Sequence, residues 1–129
     1  GWGRIIAITS VSVKQPIDSL LLSNMARAGL TGFLKTVSTE LGPQGITVNA
    51  LLPGTHKTSR VDQLVQHRAE QQKKPPEEIM QQMMAANPTH TIGDPSDFGA
   101  AAAFLASVQS RYITGQNLLV DGGTYRGLL

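Results

Sequence analysis

Ile46-Thr47-Val48-Asn49-Ala50-Leu51-Leu52 is a nearly continuous apolar run, rich in β-branched residues and closed by Pro53-Gly54, and it reads as a buried parallel strand. Arg4-Ile5-Ile6-Ala7-Ile8-Thr9 has the same character and is also followed by turn chemistry. Between the two runs Leu22, Met25, Ala26, Gly29, Leu30, Phe33, Leu34, Val37 and Leu41 recur at three- and four-residue steps, until Gly42-Pro43 and Gly45 stop the pattern. That spacing predicts one long helix over roughly 18–41. Strand, crossover helix and parallel strand make a βαβ unit, which winds right-handed.

Working outward, residues 58–90 are polar and rich in glutamine and methionine, with two short amphipathic patterns split by Pro75-Pro76. They predict two helices, about 59–72 and 77–86, packed as a helical lid within the domain. Asp94-Pro95-Ser96-Asp97 has the chemistry of a helix start: a capping aspartate, proline in the first turn and a second acid near the positive helix end. The helix it opens runs to about Ser107 and buries Phe98, Ala101, Ala102 and Leu105. A last strand, Gln116–Val120, ends at Asp121-Gly122-Gly123. The expected architecture is α/β, a single domain over 1–129 with three parallel strands and helices on one or both faces, an incomplete doubly wound sheet. Strand 4–9 is then left as an apolar edge that something has to cover.

The 129 residues suit one ordinary domain, and 40% hydrophobic with 16% charged residues is a globular balance. With no cysteine there is no disulfide framework or thiolate metal site, and His56, His67 and His90 lack the spacing of a zinc cluster, so no metal is expected. No stretch approaches the ~20 apolar residues that cross a bilayer, and the first residues read as a strand rather than an export signal. The expected setting is a reducing cytoplasm, away from membranes. A net charge of +2, with Lys73-Lys74 the one adjacent basic pair, gives no footprint for nucleic acid.

Thr9-Ser10-Val11-Ser12 through Ser23-Asn24-Met25-Ala26-Arg27 resembles the active-site segment of the short-chain dehydrogenase/reductase family, whose pattern is serine, twelve residues, tyrosine, three residues, lysine. Ser10 is in register, whereas Ser23 stands at the tyrosine position and Arg27 at the lysine position. Four further strings follow in the family's order: Ala28-Gly29-Leu30 with Gly32-Phe33, Gly45-Ile46-Thr47-Val48-Asn49 before Pro53-Gly54, Tyr112-Ile113-Thr114-Gly115-Gln116, and Val120-Asp121-Gly122-Gly123. The resemblance covers the carboxyl-terminal half of such a protein, its last three strands, without the glycine-rich nucleotide turn of the amino-terminal half. Gly1-Trp2-Gly3 is no substitute, because it precedes a strand instead of following one.

The resemblance implies a Rossmann-like fold and an NAD- or NADP-dependent oxidoreductase acting on a small-molecule carbonyl or alcohol, similar to a 3-oxoacyl reductase. It also implies a homo-oligomer, a dimer or tetramer, assembled through the long helix and the closing strand. In the family the tyrosine exchanges a proton with the carbonyl oxygen, and the lysine lowers the tyrosine's pKa and holds the ribose. By that analogy Ser10, Ser23 and Arg27 are the catalytic candidates, and Arg27, Pro53, Gly54, His56 and Thr58 the cofactor-binding ones. Pro53-Gly54 resembles the loop whose backbone receives the nicotinamide carboxamide, with Thr58 at the hydroxyl position after it.

The chemistry at position 23 differs in kind. A phenol starts near ~10, whereas an alkyl alcohol holds its proton about as tightly as water, far above that value. That gap is on the order of 8 kcal/mol at ~1.36 kcal/mol per unit. Two function classes therefore stay open: a reductase that draws its proton from water or a substrate hydroxyl, and a catalytically silent relative serving as a binding or assembly subunit. Each candidate also has a plain structural role open to it. Ser10 can cap the strand-to-loop turn, Ser23 can bond a helix carbonyl, Pro53-Gly54 can simply end a strand, and Arg27, His56 and Lys57 can be solvated. Met80, Met83 and Met84 are read as packing the lid, and Tyr112 and Tyr125 as lying away from the site.

Overall fold

The computed structural model describes residues 1–128. Its centre is β2 (Ile46–Pro53), the strand whose apolar run opened the reading, flanked in parallel by β1 (Gly3–Ile8) and β3 (Asn117–Val120) in the order β1-β2-β3. All six residues from Thr47 to Leu52 are buried, as expected of a strand covered on both faces. Val48, Ala50 and Leu52 turn to α1 (Leu21–Leu41) and form the main core with Leu34, closed by Ala7, Val37, Leu41 and Leu119. Thr47, Asn49 and Leu51 alternate to the opposite face. There α4 (Pro95–Ala106) packs on β1 and β2, and Arg4 Nε donates to the carbonyl of Ser107 at the helix end. Helices therefore cover both faces of the sheet. On α4 Leu105 is buried and Phe98, Ala101 and Ala102 are half-buried, the stripe the pattern predicts.

Two helices, α2 (Ser59–Gln72) and α3 (Pro76–Ala85), lie between β2 and α4 and pack on each other around Val65, Ala69 and Ile79. Val61, Met80 and Met83 cover that small core. Lys73 closes α2 in the left-handed region at φ 52°, and Pro75 and Pro76 start α3. The pair is thus a satellite with its own apolar centre, separate from the sheet core.

The long helix starts later than its periodicity predicts, at Leu21 rather than near residue 18. Ser19 sits at φ 65°, which no continuing helix allows, and Leu20 offers the helix no side-chain cap. The chain enters instead through Asn24, whose side-chain amide accepts from Ile17 N–H at 3.4 Å and donates to Ile17 carbonyl at 2.9 Å. At the other end of the molecule Asn49, almost fully buried, holds the loop before β3. Its Nδ2 donates to Ile113 carbonyl at 2.8 Å and its Oδ1 accepts from Gln116 N–H at 3.1 Å.

Edge strand β1 leaves Ile5 and Ile8 42% and 62% exposed, and α1 presents Leu21, Leu22, Met25 and Phe33 outward. Among the described residues no helix is long and apolar enough to cross a membrane.

Candidate active site

A cleft of about 530 Å³ opens beyond the carboxyl ends of β1 and β2, where open α/β sheets take their ligands. Ser10, Ser23, Arg27, Pro53, Gly54, His56 and Thr58 all line it. These seven residues, up to 48 positions apart in the chain, are thereby brought to one surface, although nothing in their local patterns requires it.

Each is held by identifiable bonds. Ser10 follows β1 and caps the short turn Val11–Val13, with its Oγ accepting from Ser12 N–H at 3.1 Å. Capping uses a lone pair only, so the hydroxyl proton remains free to point into the cleft. Ser23 and Arg27, one turn apart near the start of α1, share a face of the helix. Arg27 Nε donates to Ser23 Oγ at 3.2 Å and Arg27 Nη1 to Thr9 carbonyl at 2.8 Å. The guanidinium thus ties α1 to the end of β1, and Ser23 accepts a side-chain donor rather than bonding a helix carbonyl.

The loop after β2 is fixed on three sides. Gly54 N–H donates to Val120 carbonyl, and a Cβ at Gly54 would lie 2.5 Å from Asp121 Cα, so only glycine fits there. His56 Nδ1–H donates to Gly54 carbonyl at 3.2 Å, and its ring meets Phe98 edge-on with centroids 5.4 Å apart. Gly93 completes the clamp, accepting from Lys57 N–H and donating to Thr55 carbonyl. Among the described residues the N–H groups of Thr55 and His56 hold no hydrogen bond. Thr58 begins α2 without using its hydroxyl as a cap, so that group too is unspent.

The cleft has an apolar wall from Ile8, Ile17, Leu20, Val61, Leu64 and Phe98, and guanidinium groups at Arg27 and Arg60, with no carboxylate among the described residues of its lining. Sequence reading missed this wall, since Leu20 and Leu64 read as ordinary helix positions and Phe98 as core. Nearby, Asp94 caps α4 in a full capping box with Asp97. Its carboxyl is held below the usual range, first by the Ser96 hydroxyl, then by the Ser96 N–H, with Lys57 and His56 adding attraction. Tyr112 and Tyr125 do not line the cleft. Among the described residues no group of three His, Cys, Asp or Glu is placed to hold a metal ion.

The free N–H groups of Thr55 and His56, the close approach permitted at Gly54 and the guanidinium of Arg27 fit a nicotinamide dinucleotide: donors for a carboxamide and a fork for ribose hydroxyls.

Known proteins share this sequence and fold. A family model described as Enoyl-(Acyl carrier protein) reductase matches residues 1–125. NADPH-dependent reductase BacG of Bacillus subtilis is 34% identical over 127 residues, 98% of this chain and 49% of that protein. The 3-oxoacyl-(acyl-carrier-protein) reductase FabG of Rickettsia bellii is 41% identical over 122 residues, 95% of this chain and 46% of that one. L-sorbose reductase of Gluconobacter frateurii, solved with NADPH and L-sorbose, superposes with a TM-score of 0.90 at 26% identity, covering 99% of this chain and 49% of that structure. The chain spans about half the length of the curated relatives it matches.

Proposed function

Because the chain belongs to the short-chain dehydrogenase/reductase family, we propose that it forms the carboxyl-terminal part of an NAD(P)-dependent oxidoreductase acting on a carbonyl or alcohol, similar to a 3-oxoacyl reductase, with Ser23 and Arg27 in place of the family's tyrosine and lysine. The observation that carries this reading is that Ser10, Ser23 and Arg27 share one cleft with the loop 53–58.

The nicotinamide cofactor, when bound, supplies or accepts the hydride. Ser10, with its lone pair engaged by Ser12 N–H, donates its hydroxyl proton in a hydrogen bond to the substrate carbonyl oxygen and polarises it. Ser23 does not surrender its own proton at neutral pH, being a far weaker acid than a phenol. With Arg27 Nε–H on its Oγ, it orients a water or a substrate hydroxyl that passes a proton to that oxygen as it takes one up from bulk solvent. The remaining N–H groups of Arg27 hold ribose hydroxyls. The loop 53–58 receives the carboxamide, and α2 with α3 closes over the cleft as a lid spanning 58–90.

Homo-oligomer formation, as a dimer or tetramer, belongs to the same reading and is supported by the outward apolar face of α1, where Gly29 and Gly32 stand in open space between Met25 and Phe33. The absence of cysteine accords with a cytoplasmic setting. Light scattering checks the assembly, and a monomer at micromolar concentration removes it.

The test of activity is NAD(P)H fluorescence quenching followed by turnover of a carbonyl panel, using the whole natural polypeptide. Ser10→Ala is expected to lower kcat about 10²-fold. The alcohol at position 23 favours a second reading, a silent binding or assembly subunit. That reading holds if neither quenching nor turnover is found and fails if turnover falls on Ser10→Ala.

A further inference from the structure

Thr55 and Leu64 line two cavities at once. One is the cleft above; the other, about 280 Å³, is lined from α2 and α3, and the two adjoin at these shared residues. Ile79 and Met83, from the small α2–α3 core, give the second cavity an apolar floor. Its polar lining comes from Gln72, Gln82 and Arg68 together with Thr55, Asn87 and Thr124.

Arg68 is the informative one. The only ion pair among the described residues joins Lys74 to Glu78, and no carboxylate lines either cavity, so the guanidinium has no counter-ion there. Its forked donors match a carboxylate, and the amides of Gln72 and Gln82 can complete the shell. One guanidinium balances one negative charge, which favours a carboxylate over a doubly charged phosphate. Along α2, Val61 faces the first cleft and Arg68 the second, a rise of about 10 Å at ~1.5 Å per residue.

Resting on the reductase reading, we infer that the second cavity is a distal substrate compartment and that Arg68 is its specificity-determining residue, accepting a carboxylate carried on an apolar stem that reaches from the cleft past Leu64. The substrate class is a medium-length oxo acid, its chain lying over Leu64, Ile79 and Met83.

The test uses the whole natural polypeptide with NADPH and a matched pair of probes, 8-oxononanoate and its methyl ester, in calorimetric titration and then in turnover. The acid is expected to bind about tenfold tighter than the ester, the weight of one charge-assisted contact. Arg68→Gln is expected to erase that preference while leaving ester binding and Tm unchanged, since Arg68 is exposed. Equal binding of acid and ester, or a preference that survives Arg68→Gln, overturns the inference. Selective binding lost on Arg68→Gln, without turnover of either probe, upholds the compartment and removes the reductase reading. Turnover of both probes without preference does the reverse.

Discussion

Arg27 Nη1 lies 2.8 Å from the carbonyl oxygen of Thr9, so this side chain locks the first helix to the end of the first strand. The same guanidinium holds Ser23 Oγ at 3.2 Å. One residue thus joins two pieces of the cleft through bonds a lysine's single ammonium cannot copy in fork geometry. Arg27→Leu is expected to cost about 1–3 kcal/mol, read from denaturant unfolding. NAD(P)H binding should weaken in the same variant.

Restoring the phenol tests the proposed proton route. Ser23→Tyr with Arg27→Lys is expected to raise kcat about 10²-fold or more, the usual yield of a positioned general acid. The kcat profile should gain an ionisation below ~10 that the natural protein lacks. A rate that stays flat while the variant folds counts against Ser23 occupying the proton-donor position.

Gly54→Ala places a methyl group 2.5 Å from Asp121 Cα and 2.6 Å from its Cβ. Backbone cannot yield as a flexible side chain does, so loop 53–58 must shift. A loss of about 1–3 kcal/mol is expected in thermal unfolding, with weaker cofactor binding alongside.

Asn49→Leu removes both partners of the loop before β3, orphaning Ile113 carbonyl and Gln116 N–H at a fully buried position. About 2–4 kcal/mol should be lost. Faster hydrogen exchange at Gln116 and in β3 is the signature that separates this from general softening.

Asp94 makes the start of α4 acid-sensitive. Its folded pKa is depressed, chiefly by Ser96, so its contribution is full above the ordinary carboxylate value of ~3.9 and declines as pH falls through the lower folded value. Amide protection in the first turn of α4 should fall below about pH 4. In Asp94→Asn, which keeps a capping acceptor without the charge, this acid loss should be smaller.

Much of the fold was legible because its signals are local. The apolar run at 46–52, the three- and four-step pattern behind α1, and the Asp94-Pro95 start each act within a few residues, and each element formed where expected within a few positions. The exception, the start of α1, turns on Ser19 adopting a left-handed conformation and on Asn24 bonding Ile17, neither of which leaves a periodic trace. The site was legible in part, and by resemblance rather than by periodicity. Serine, serine and arginine at their spacings pointed to Ser10, Ser23 and Arg27, while the apolar wall of Leu20, Leu64 and Phe98 and the second cavity at Arg68 stayed hidden.

From its own residues the chain determined the order of strands and helices and the identity of the side chains on offer: serines at 10 and 23, an arginine at 27, no thiol at all. Only the tertiary structure decided that seven scattered residues share a cleft, that Arg27 turns to Thr9, and that Thr55 and Leu64 line two adjoining cavities. The physical reason is range. Helix and strand periodicity are set by neighbours within a turn or a pleat, whereas convergence at the carboxyl end of a sheet depends on how whole elements pack.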